Sequence, residues 1–121
     1  MQLKDLEYYK ISRDISRYVW DIYTLFDWQI QKVIGDQWIR AIDSISANIA
    51  EAYGRYHYLD KNKFYYNARG SLYESLDWTE KLHERDEISA GDKQYILNNL
   101  LIVKRKLNTQ IKRTKEQKDK E

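Results

Sequence analysis

Ser44, Asn48, Glu51 and Arg55 follow one another at intervals of four, three and four residues, the spacing that aligns side chains along one face of an α-helix. A second series with the same steps, Asn67, Ser71, Glu74 and Trp78, follows about one helix later. Two chemistries fit such lines. They can form a ligand or nucleic-acid surface, with Arg40 and Arg55 presenting guanidinium groups to phosphate. They can equally satisfy one another as a polar seam (Ser44, Asn48, Glu51, Asn67, Ser71, Glu74) that pins the register of two packed helices.

Other chemistries find less support. Glu80 and His83 have the Glu-x-x-His spacing of di-iron bundles, but such a site needs two copies and two further glutamates. The only other histidine, His57, has Tyr53 and Gly54 before it at the relevant places. No metal or other cofactor is expected. With no cysteine there are no disulfides, thiolate ligands or thiol nucleophile. Gly-rich phosphate loops, Gly-x-Ser-x-Gly elbows and His-Glu-x-x-His motifs do not occur, and no catalytic residue is assigned.

The net charge of +2 conceals an asymmetry. Residues 1–103 hold 13 basic and 16 acidic side chains, and residues 104–121 hold 8 and 3. Lys104, Arg105, Lys106, Lys112, Arg113 and Lys115 are therefore candidate phosphate contacts, although charged termini are often only solvated. The stretch "YGRYHYLDKNKFYY" interleaves tyrosines with Arg55, Lys61 and Lys63. Such rings can stack bases or serve as core and subunit-contact anchors.

These side chains must be positioned by helices. The 121 residues suit one domain, and the absence of proline and the presence of only four glycines leave long helices uninterrupted. Apolar residues recur at helical spacing in four segments: Leu6 to Phe26; Ile34 through Trp38, Ile42, Ile45 and Ile49 to Tyr56; Phe64 to Leu82; and Ile96 to Ile111. Gly35 leaves open whether the second helix begins near Trp28 or at Asp36. Asp60 is the expected N-cap of the third helix, and Ser89 with Asp92 has cap-and-N3 spacing for the fourth. Short loops then give an all-α, antiparallel up-down-up-down four-helix bundle over residues 1–111. Its second and third helices face each other with Asn48 opposite Ser71 and Glu51 opposite Asn67. Residues 112–121 lose the apolar positions and should form a frayed basic tail. No run approaches the roughly 20 apolar residues of a membrane span. The start has no apolar signal-peptide core, so a cytoplasmic protein is expected.

The segment "RAIDSISANIAEAYGR", with "ARGSLYE" at 68–74 and the opening "LKDLEYYK", resembles the bacterial four-helix-bundle proteins encoded within intervening sequences of 23S ribosomal RNA genes. Relatives of that family include accessory variability determinants of diversity-generating retroelements. Ile39 stands where a second arginine is common, Ser46 where proline is usual, Ala52 where glycine is usual, and Asp27 where a proline often precedes helix two. The resemblance implies a homopentameric ring with no catalytic activity. In the retroelement relatives it also implies a basic surface that binds nucleic acid and a reverse transcriptase. The expected function is thus a non-enzymatic oligomeric accessory binding RNA or a ribonucleoprotein. The alternative is a protein-only scaffold.

Overall fold

In the computed structural model, which describes residues 1–120, every regular element is helical. A 3-10 turn at Leu3–Asp5 leads into α1 (Glu7–Tyr23). Helix α2 runs without interruption over residues 28–54, composed of an α-turn at Trp28–Ile30, a π-helical stretch at Gln31–Gly35 and α-helix at Asp36–Gly54. Helix α3 spans Tyr58–Glu84, and α4 spans Ala90–Asp119. Each helix packs chiefly on its neighbours in the cycle α1-α2-α3-α4-α1, and the α2/α3 seam is the most extensive. The short loops make successive helices antiparallel, as in an up-down-up-down bundle.

The apolar stripes converge on one core. Ile15 and Val19 of α1, Trp38, Ile42, Ile45 and Ile49 of α2, Leu72 and Leu82 of α3, and Ile96, Leu100, Val103 and Leu107 of α4 are buried almost completely. Each such side chain contributes about 1.5–3 kcal/mol relative to exposure. The α2 stripe ends at Ala52, because the helix stops at Gly54 and Tyr56 lies in the loop, 89% exposed.

Local chemistry sets the boundaries. Asp27 Oδ1 accepts from the Ile30 N–H at 3.0 Å and starts α2 ahead of Gly35. The π-helical stretch passes Gly35 beneath the Tyr23 and Phe26 rings, where a Cβ would come within 3.1 and 3.2 Å. Any larger residue there would make those rings give way by a few tenths of an ångström. At the other end of α2, the Lys61 ammonium donates to the Ala52 and Tyr53 carbonyls at 3.2 and 3.4 Å. It thereby places a cation on the negative end of the helix dipole, and burial lowers its pKa from the ordinary lysine value.

Two expectations about α3 and α4 change. The residue before α3 is His57, without a side-chain cap bond, and Asp60 lies inside the first turn. A carboxylate there still opposes the helix dipole favourably but does not cap. Helix α4, capped by Ser89 Oγ accepting from the Asp92 N–H at 3.1 Å, continues past residue 111 to Asp119. Thr114 is fully buried and bonds to the Gln110 carbonyl at 2.9 Å, so packing extends into the segment expected to fray.

Candidate nucleic-acid interface

The polar stripe resolves into local pairs and one true cross-helix link. Ser71 Oγ donates to Ser44 Oγ at 2.9 Å, and Asn48 Nδ2 donates to both the Ser44 carbonyl and its hydroxyl, at 2.8 and 2.9 Å. The register thus sets Ser44 opposite Ser71, one helical turn from the expected Asn48 pairing. Glu51 bonds Arg55 on its own helix at 2.5 Å, while Glu74 accepts from Trp78 Nε1 at 3.1 Å. Asn67 is exposed. The deeper seam lies among the inward-facing apolar residues: Trp38 Nε1 donates to Thr79 Oγ1 at 3.0 Å in the fully buried core.

The outer side of α3 and α4 holds a different pattern. Tyr66, Arg69 and Tyr73 lie three and four residues apart on α3, and Lys104, Asn108 and Lys115 lie four and seven apart on α4. The two lines interlock. Arg69 donates to Asn108 Oδ1 at 2.9 Å and sits 4.9 Å from the Tyr66 ring centre. Lys115 approaches the same ring at 5.6 Å, and Lys104 approaches the Tyr73 ring at 5.4 Å. Cations over exposed rings gain about 0.5–1 kcal/mol and keep their charge available to an anion. Both tyrosines are exposed, Tyr73 to 49%.

The other basic candidates are divided. Lys112 is exposed on the helix that carries Lys104 and Lys115. Arg105, Lys106 and Arg113 line a separate shallow depression of about 380 Å³, and the Lys106 ammonium there pairs with Glu7 at 3.1 Å. Arg55 is held by Glu51 and lies 4.7 Å from the Phe64 ring centre. Arg40 is exposed near Tyr23, where its charge acts on the tyrosine hydroxyl. That places it on the α1/α2 side, across the bundle from α3 and α4, so Arg40 does not join the α3/α4 face. Arg69, Tyr73 and Asn108 were missed as site residues. The 66/69/73 spacing on α3 is the signal in the sequence that points to the first two.

On the α1/α2 side a groove of about 570 Å³ has Ala47 and Ala50 in its wall with Arg13 and Trp20, and Trp20 is 52% exposed. Glu80 of the Glu-x-x-His pair takes the Lys93 ammonium at 3.1 Å. Among the described residues no cluster of three or more potential ligands from His, Cys, Asp and Glu is assembled, and no helix is long and apolar enough to cross a membrane.

Comparison with solved structures finds a Bacteroides thetaiotaomicron protein of unknown function from the S23 ribosomal protein family. It has 24% sequence identity and a TM-score of 0.81, and the match covers 87% of this chain and 98% of that one. At that identity the likeness speaks for the fold. No curated protein matches the sequence. The profile of the 23S rRNA-intervening sequence proteins matches residues 4–109, through all four helices and the polar seam between α2 and α3. The chain belongs to the 23S rRNA-intervening sequence protein family.

Proposed function

We propose that this protein is a non-enzymatic accessory that assembles with copies of itself and binds RNA, alone or within a ribonucleoprotein, through the outer face of α3 and α4. The observation that carries this reading is the interlocked pair of lines, Tyr66-Arg69-Tyr73 against Lys104-Asn108-Lys115. Cations track a phosphate backbone and exposed rings accept unstacked bases, a pairing characteristic of single-strand binding. The resemblance to retroelement accessory proteins makes a reverse transcriptase a fitting protein partner and a homopentameric ring a fitting assembly. The α1/α2 groove, with its alanines and half-exposed Trp20, is the surface suited to the subunit contact. A protein of this kind works in the cytoplasm.

The test is fluorescence anisotropy of a single-stranded RNA across a salt series. With Arg69, Lys104, Lys112 and Lys115 neutralising phosphates, log K should fall against log salt with a slope of about −3. Charge reversal of Arg69 and Lys104 together should remove most of the binding without unfolding the protein, since both are on the surface. Absence of binding at low salt, or affinity indifferent to salt, defeats the reading. The rival, a protein-only scaffold, draws on the exposed Trp20 and Trp28. It requires the same charge reversal to leave partner capture intact. Light scattering tests the ring separately: a monomer mass at every concentration rules it out.

A further inference from the structure

A cavity of about 440 Å³ opens where the first turns of α3 meet the last turns of α4. From this we infer that the cavity receives one nucleotide unit of the RNA, its phosphate held by Lys63, Lys115 and Lys118 and its base edge donating to Asn62. The inference rests on the RNA-binding reading and gives it a defined subsite.

The wall combines three kinds of group. Among the described residues lining it, Lys63, Lys115 and Lys118 bring three ammonium groups against the one carboxylate of Asp119. None of the three is in an ion pair among the described residues. Leu59, 66% exposed, and Tyr66 supply apolar and aromatic surface. Asn62 supplies a buried amide whose Nδ2 donates to the Ile111 carbonyl at 3.2 Å. Its Oδ1 is buried with no hydrogen-bond partner in the protein. Buried polar atoms without partners are uncommon, and one in a cavity wall is an acceptor in want of a donor.

A ligand that uses all three must carry negative charge, a flat apolar surface and an N–H donor. Inorganic phosphate offers charge and an O–H donor at neutral pH but has no flat apolar surface for Leu59 and Tyr66. An apolar peptide would leave the cations unused. A nucleotide has the phosphate, the ring and the N–H groups of the base edge, and the volume lies within the range of small-molecule sites. The cavity also continues the cation and tyrosine line of the α3/α4 face, since Tyr66 and Lys115 belong to both. A strand lying along that face would reach the cavity at its end.

Adenosine monophosphate and inorganic phosphate, titrated separately into the ¹⁵N-labelled full chain, test this directly. The nucleotide should shift the Asn62 side-chain amide together with the backbone of Lys63, Tyr66 and Lys115. It should bind at least about tenfold more tightly than phosphate, and Lys118→Gln, an exposed change that leaves the core untouched, should weaken it about tenfold. Equal affinity for phosphate, or an Asn62 amide that does not move, overturns the inference. In parallel, an oligoadenylate is titrated under the same conditions. If it binds with steep salt dependence while the Asn62 amide stays still, the subsite is wrong and the RNA reading survives. If adenosine monophosphate binds in the cavity and the oligonucleotide binds nowhere, the RNA reading fails and takes this inference with it.

Discussion

At the scale of single residues, the decisive polar contact is the one between Trp38 and Thr79. Both are fully buried, the indole N–H donates to the threonine hydroxyl at 3.0 Å, and that hydroxyl donates onward to the Ser75 carbonyl at 2.7 Å. Thr79→Val keeps the volume but leaves an indole N–H unsatisfied in the core, which costs about 1–3 kcal/mol. Urea unfolding should show the midpoint moving down with an unchanged slope, whereas Thr79→Ser, which retains the hydroxyl, should lose less. A valine variant as stable as the parent would mean the bond contributes nothing. Helical periodicity puts Trp38 on an inward stripe but cannot pair it with Thr79, because pairing depends on the relative height of two helices. The same limit explains the polar stripe. Arg55 has Glu51 within reach on its own helix whatever the register, so the i,i+4 partner takes it, while Ser71 meets whichever residue the α2/α3 packing sets opposite, here Ser44.

At the scale of elements, helix existence was legible and helix ends were less so. Ser89 caps α4 as its spacing suggested, since a serine before an apolar-periodic run has a bond waiting for it. The start of α2 is ambiguous in sequence because Gly35 weakens a helix read in isolation, whereas in the fold the Tyr23 and Phe26 rings lie so close that a side chain there would be tightly packed against them. The end of α3 contains a correctable fault. Asp86 adopts a φ of 60°, the Glu87 N–H bonds the Leu82 carbonyl at 2.9 Å and the Asp86 N–H bonds that of His83 at 3.0 Å. These are the bonds of a Schellman motif, in which glycine is the favoured left-handed residue. Asp86→Gly removes the Cβ strain of that conformation and should stabilise the protein by about 1 kcal/mol, read as a rise in Tm of several degrees. An unchanged or lower Tm would show that the aspartate side chain compensates for its backbone. The basic run illustrates a different limit: residues 104–106 look contiguous in sequence, yet each step turns about 100° around α4. Lys104 therefore joins the tyrosine face while Lys106 pairs with Glu7 on the α1 side. Because Thr114 is buried, deleting residues from 112 onward would remove packing as well as charge. Substitution is the cleaner probe of binding.

At the scale of the whole molecule, the four stripes foretold one closed core, and what they left unread is how many tyrosines tie the bundle together through their hydroxyls. Tyr8 and Tyr65 meet at 3.4 Å between α1 and α3, Tyr18 donates to Asp92 of α4 at 2.5 Å, and Tyr23 donates to Asp36 of α2. Each of these hydroxyls is harder to ionise than a free tyrosine. Burial is the main cause for Tyr8 and Tyr65; for Tyr23 and Tyr18 it is the bond to a carboxylate, which pushes Tyr18 up to about 12. In the unfolded chain the same groups lose their protons near pH 10. Above that pH the folded state binds more protons than the unfolded state, so stability must fall as pH rises. Lys61, with its lowered pKa, acts in the opposite sense, one group against four. The tyrosine contribution is complete below pH 10 and falls as pH rises beyond it, that of Tyr18 as pH passes about 12, with Tyr18 and Tyr23 counting for less because water reaches them. Denaturant midpoints between pH 8 and 12, taken with tyrosinate absorbance, should therefore be nearly level to pH 9.5 and decline steeply beyond. Tyr18→Phe should make the decline shallower, because it removes one of the linked protons. If the folded protein instead ionised all its tyrosines near pH 10 and kept its stability, these hydroxyls would be ornaments on a core held by its apolar stripes alone.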